Sequence, residues 1–403
     1  MNKQEKKNSL IIIGSRVISK GGDIIFDFAN NTLLSGINPN SLLLVGIYQS
    51  LESIVGVLFN LFGGVIADRF KRKKIIIWTN IFCGIACMIL SFISQEQWLI
   101  YAIVLTNVVL AFMSAFSAPS YKAFTKEIVR NESISKLNSY LETTSTVIKV
   151  TIPLVSIFLY NVLGIHGVLL LDGLSFLIAA SLIFLIVPVN EEVVSKEKIT
   201  IRGILIDLKI GFKYVYSHKP IFIIIVLSAL INFFLAAYNL LLPYSNQMFG
   251  NISSGLYGTF LTAEAIGGFI GAILSGYINK NLSSFRLMLF LGIAGCLLST
   301  APLLYFISQN TIILSFSPAL FSLFLSIFNI QFFSIVQRDV DNEFLGRVFG
   351  IIFTVAILFM PIGTWIFSMI LNPKNTLNFL IIGISVTMLS LVFGTLFKKY
   401  NVN

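Results

Sequence analysis

Twelve runs of about 20 mostly apolar residues follow one another along this chain, each long enough to cross the roughly 30 Å hydrocarbon core of a bilayer as a helix. They fall near 10–34, 42–66, 75–94, 98–119, 137–161, 166–188, 221–245, 255–278, 286–307, 311–335, 348–371 and 377–397. Only 11% of the 403 residues are charged and the mean hydropathy is +0.89. That leaves too little polar surface to cover a water-soluble fold of this size, so lipid is the expected solvent. The loops are short, except for a polar stretch from Val189 to Lys219. The fold class predicted is an all-α membrane protein with twelve transmembrane helices in two pseudo-symmetric six-helix bundles. The bundles are 1–188 and 220–403, and the cytoplasmic loop 189–219 joins them.

The net charge of +10 invites a nucleic-acid reading, which the placement of the charges opposes. Lys and Arg are retained on the cytoplasmic side of membrane proteins. With a cytoplasmic N-terminus, 24 of the 28 fall in inside segments: the N-terminus, alternate loops, the central loop and the C-terminus. Arg16, Lys20 and Lys149 lie within spans, and only Lys374 falls in an outside loop. A wrong span count would scramble this alternation, so both termini are placed in the cytoplasm and no nucleic-acid partner is expected. Met1 to Asn8 is basic and polar, with no small-residue cleavage site behind it, so no cleavable leader is expected. Within the central loop, Ile204, Leu208, Phe212 and Val215 make an apolar stripe beside Lys209 and Lys213. That pattern predicts an amphipathic helix on the inner membrane surface, serving as a linker or in regulation. Cys83 and Cys87 share a helix face, but no His or second Cys pair is nearby, so no metal or cofactor is expected.

Two similar bundles should leave a repeat in the sequence. At an offset of 212, Leu44, Gly46, Glu52, Ile54, Gly56 and Gly64 meet identical residues at Leu256, Gly258, Glu264, Ile266, Gly268 and Gly276. The same offset pairs Asp27 with Asn239 and Lys20 with Asn232.

After the second run comes Gly64-Val65-Ile66-Ala67-Asp68-Arg69-Phe70-Lys71-Arg72-Lys73-Lys74. This string resembles the G-x-x-x-D-R-x-x-R-K signature of the major facilitator superfamily. The resemblance implies that Gly64, Asp68, Arg69 and Arg72 help hold the cytoplasmic ends of the halves together as a gate. Lys71 stands where the family usually has Gly, and Lys280 stands opposite Asp68 in the second half. Within that superfamily the chain is similar to the macrolide-efflux-type drug exporters. The stretches that carry this are Ala115-Phe116-Ser117-Ala118-Pro119, Asp172-Gly173-Leu174-Ser175-Phe176-Leu177, Gly211-Phe212-Lys213-Tyr214-Val215, Leu241-Leu242-Pro243-Tyr244, Gly267-Gly268-Phe269-Ile270-Gly271 and Leu345-Gly346-Arg347-Val348. The resemblance implies export of drugs, siderophores or related amphiphiles, driven by the proton gradient. Two departures touch the coupling: Asn107 to Leu110 holds no Arg where drug antiporters often have one, and the span-five Gly-Pro motif is reduced to Ile152-Pro153.

A charge in the bilayer core costs about 2.5–3.5 kcal/mol on insertion scales, so it faces the protein interior or a cavity. Arg16, Lys20, Asp23, Asp27, Glu52, Glu142, Lys149, Asp172 and Glu264 are such charges. Glu52 and Glu264 sit mid-span on faces that also carry glycines, which mark helix contacts. A carboxyl shielded from water keeps its proton more readily, the property a proton carrier needs. Glu52, Glu264 and Asp27 are therefore the proton-coupling candidates, the alternative being protonated side chains bonded to a neighbouring helix. Asp23, Asp27, Glu142, Lys149, Asn232, Asn239 and Gln331 are the substrate-cavity candidates. Lys20 with Asp23, and Glu142 with Lys149, have the spacing of structural pairs, and Gln331 could equally bond a neighbouring helix. Asp172 reads as structural.

No metalloprotease, nucleophile-elbow or phosphate-loop motif is present, so catalysis is not expected. The reading is a monomeric secondary transporter in a bacterial cell membrane, meeting lipid, protons and a small-molecule substrate. It would export drug-like amphipathic molecules by proton antiport with alternating access. The alternatives are a dedicated exporter of an endogenous siderophore or peptide, a nutrient importer, and a non-transporting membrane sensor or immunity protein.

Overall fold

The computed structural model describes residues 1–37, 41–190, 213–250, 252, 255–278, 283–340 and 344–399. Most of the predicted amphipathic helix, including Ile204, Leu208 and Phe212, lies outside the described residues. So do the side chains of Gly64, Asp68, Arg69 and Arg347.

All regular structure among the described residues is helical: α1 (Lys3–Gly36), α2 (Leu42–Arg69), α3 (Arg72–Ser91), α4 (Glu96–Ile128), α5 (Asn131–Phe184), α6 (Lys219–Leu241), α7 (Leu256–Ser275), α8 (Ser284–Ser299), α9 (Ala301–Ser308), α10 (Thr311–Asp339), α11 (Leu345–Ile370) and α12 (Asn378–Lys399). Ten helical stretches are long and apolar enough to span a membrane, with α8 and α9 forming one of them. Helix α1 is not among the ten, because Arg16, Lys20, Asp23 and Asp27 interrupt its hydropathy. Helix α5, at 54 residues, is counted once. At 1.5 Å per residue it would measure about 80 Å, far more than one crossing needs. It is broken at Gly164, whose φ of 63° and ψ of −175° are open to glycine and strained for other residues. The break falls between the expected runs 137–161 and 166–188.

Packing divides the chain into two compact units, one of residues 1–37 and 51–198, the other of 38–50 and 199–403. Helix α2 is thus shared, where the sequence reading kept it whole in the first half. Its early residues hold to the second unit: Ser41 Oγ lies 2.7 Å from Tyr244 Oη, and Gln49 donates to the carbonyl of Asn239.

In the first unit α1 lies along α5, and α3 runs between α4 and α5. Ile12, Ile76, Phe124, Ile128, Leu137 and Ile183 form its apolar core. In the second unit α7 lies along α10, α6 along α11, and α8 along α10 and α12. Leu227, Leu291, Phe328, Val348 and Ile351 belong to the core there.

Close helix approach recurs with one register. A Cβ on Gly63 would stand 1.9 Å from the carbonyl oxygen of Ala115, and one on Gly267 would stand 1.9 Å from that of Ala319. Gly271 meets Leu323 in the same way at 2.2 Å. Each pair is 52 positions apart, so α2 on α4 and α7 on α10 use the same parallel register in the two units. This is the backbone counterpart of the 212-residue repeat.

Candidate functional site

Helix α1 carries two stripes. Ile12, Ser15, Ser19, Gly22, Phe26 and Ala29 are buried at helical spacing. Ser15 Oγ donates to the carbonyl of Ala179 on α5, and Gly22 abuts Asp172 and Ser175 on the same helix. Arg16, Lys20, Asp23 and Asp27 lie one position further round, on the flank of the packed stripe, where Lys20 is exposed and the other three are half-buried. Lys20 Nζ pairs with Asp23 Oδ2 at 3.0 Å.

Arg16, Ser19, Lys20 and Asp23 line a cavity of about 130 Å³ with Thr79, Asn80 and Cys83 of α3 and Leu110, Ser114, Ser117 and Tyr121 of α4. The cavity is polar although its walls are membrane helices. At that volume, below a typical drug site of about 300 Å³ or more, it has room for a polar group but not for a whole amphiphile. Glu52 of α2 accepts a hydrogen bond from Asn107 of α4 and is within electrostatic reach of Asp23 and Lys20.

The Arg16 guanidinium lies 4.5 Å from the ring centre of Tyr121. Asn80 Nδ2 donates to the Tyr121 hydroxyl at 3.3 Å. Beyond this pair opens a second cavity of about 330 Å³, lined by Ile12, Arg16, Tyr121, Lys122, Thr125, Asn138, Leu141 and Glu142. Glu142 and Lys149 do not form an ion pair; both are exposed, and the first lines this cavity.

Glu264 sits differently from Glu52. It accepts a hydrogen bond from Tyr238 of α6, and that ring packs on Phe321 and Phe379. One phenol and an aromatic wall replace the charged neighbours of Glu52. Asn232 donates to the carbonyl of Ser228 one turn back, and Asn239 is exposed. Gln331 is buried, and its amide donates to the carbonyl and hydroxyl of Ser275, the bond to a neighbouring helix that was one of its two readings. Asp27 is half-buried on α1, above Asp23. Asp172 is fully buried and accepts from Cys87 and Ser175, a joint between α3 and α5 beside Gly22.

Of the Gly64, Asp68, Arg69 and Arg72 motif, the Arg72 side chain is described. Its Nη1 donates to Glu127 Oε1 at 2.8 Å and its Nε to the carbonyl of Ala67. Glu127, at the end of α4, was not singled out in the sequence. Its backbone carbonyl accepts from Val189 and Asn190, which anchors the start of the central loop. Tyr121, Ser114 and Ser117 were also missed, although Leu110, Ser114, Ser117 and Tyr121 recur at helical spacing and mark a polar face on an apolar span.

A multi-pass helical membrane protein with ionisable groups around an internal polar cavity belongs to the class of membrane transporters. The sequence model of the Major Facilitator Superfamily matches residues 24–364, and the chain belongs to that family. It is 23% identical over 325 residues to macrolide efflux protein A of Streptococcus pyogenes, covering 78% of each chain. It is 30% identical over 156 residues to the multi-drug resistance efflux pump PmrA of Streptococcus pneumoniae, covering 38% of this chain and 37% of that one. A bacterial homologue of the iron transporter ferroportin, solved in an inward-facing state, superposes with a TM-score of 0.75 at 17% identity over all of both chains.

Proposed function

We propose that the chain exports small amphipathic, drug-like molecules across the cell membrane in exchange for protons, using twelve spans, cytoplasmic termini and alternating access. The observation that carries this reading is the grouping of Glu52 and Asn107 with the Lys20–Asp23 pair beside a polar cavity. Lys20 pairs with Asp23, and Glu52 lies within electrostatic reach of both. A proton on Glu52 leaves Lys20 wholly to Asp23, and loss of that proton places a second negative charge beside the pair. Protonation thus changes the charge that a bound molecule meets. Glu264, bonded to Tyr238, is the second proton-coupling candidate. The likeness to macrolide and multidrug efflux proteins supports the outward direction and the amphipathic class.

The test is efflux from everted or reconstituted vesicles under an imposed pH gradient, with lipophilic dyes, macrolides and metallophores. Gradient-dependent movement of several unrelated compounds supports the reading. Inward uptake along the gradient, or no movement of any compound, overturns it.

A further inference from the structure

The 330 Å³ cavity of the first unit is lined by three charged side chains that the proton-exchange reading does not use, Arg16, Lys122 and Glu142. Arg16 has the Tyr121 ring against it, but no hydrogen bond or ion pair among the described residues engages its five N–H donors. Glu142, on α5, lines the same space, and its carboxylate is likewise unengaged among the described residues. A cation inside an apolar helical unit is costly, and a face-on aromatic contact offsets only about 0.5–2 kcal/mol of that cost. The guanidinium edge remains available for a planar, bidentate acceptor.

We propose that this cavity binds the head of a zwitterion. Its carboxylate meets Arg16, its ammonium meets Glu142, and Thr125 and Asn138 line the same cavity as neutral partners. The volume reaches the lower end of ordinary ligand sites, which fits an amino-acid or dipeptide head. A zwitterion carries no net charge, so loading it adds none to the site. This names a substrate class for the exporter proposed above and rests on that reading only for the direction of transport.

Binding to the purified full-length protein in detergent, read as a ligand-induced rise in melting temperature, tests it with leucyl-phenylalanine, its N-acetyl form and its C-terminal amide. The dipeptide binds at least about tenfold more tightly than either blocked form, the scale of one charge-assisted hydrogen bond. Arg16→Gln brings the dipeptide level with its amide, and Glu142→Gln brings it level with the N-acetyl form. Arg16→Lys, which keeps charge but not the planar fork, falls between. Equal binding of all three ligands, no binding of any, or ratios untouched by both substitutions overturns the proposal. Dye efflux measured on the same wild-type protein separates the two ideas. Export without dipeptide discrimination removes the zwitterion site alone, and discrimination without export removes the export reading alone.

Discussion

Replacing Gly63 by alanine tests the helix register that frames the cavity. The new methyl carbon would lie 1.9 Å from the carbonyl oxygen of Ala115, 2.7 Å from its carbonyl carbon and 3.2 Å from Cα of Phe116, where ordinary contact begins at 3.4 Å. All three are backbone atoms, so no side chain can turn away. The helices must part by about 1.5 Å; a gap of only about 0.5–1 Å already forfeits a quarter to a half of the dispersion energy, so the loss along the seam is larger than that. The expected loss is at or above the top of the ~1–3 kcal/mol range for overpacking. By the scaling for soluble domains of about 150–250 residues, the size of the first unit, that lowers the melting temperature by roughly 5–10 °C. Gly268→Ala is the control, since its Cβ would meet only Ser322 Oγ, at 3.2 Å, and that hydroxyl can rotate. Melting of fluorescent-protein fusions in detergent measures both. Gly63→Ala melting within about 1 °C of wild type, or Gly268→Ala falling as far, would refute the reasoning.

Arg72→Gln removes the 2.8 Å partner of a buried Glu127 carboxylate, and breaking a buried pair costs about 3–5 kcal/mol, a loss the same melting assay reads. Gln331→Leu removes the bonds to Ser275 and lowers stability by about 1–3 kcal/mol while leaving the substrate profile unchanged; a changed profile would return Gln331 to the cavity. Glu5, before the first apolar run, accepts from the backbone N–H groups of Arg130 at 2.8 Å and Asn2 at 2.6 Å, which hold its carboxyl below the usual 4.5. A depressed folded-state value means that the ionised form stabilises the fold above the unfolded value and that this contribution fades as pH falls through the folded one. The melting gap between wild type and Glu5→Gln is therefore constant above pH 4.5 and closes below it; a gap that widens in acid would contradict this.

The helices were legible because hydropathy and span length are local properties. The break at Gly164 was legible as well, being a glycine between two apolar runs. The intramembrane charges could be counted from the sequence, but their partners could not. Glu52 and Asn107 are on different helices, Arg72 and Glu127 are 55 positions apart, and no local pattern joins them. Spacing on one helix suggested Glu142 with Lys149, whereas the fold places Glu142 in a cavity with Arg16 of α1. Gln331 had two readings of equal standing until Ser275 was seen opposite it. The division of α2 between the two units depends on what its first turns touch, which lies outside α2 itself.

Glu52→Gln and the Glu52→Gln, Glu264→Gln double variant, reconstituted at wild-type levels beside the parent protein, test the central claim most directly. The account predicts that an imposed pH gradient drives dye out of wild-type vesicles. It also predicts that Glu52→Gln binds the dye but no longer moves it with the gradient. Full gradient-driven export by the double variant would contradict the account.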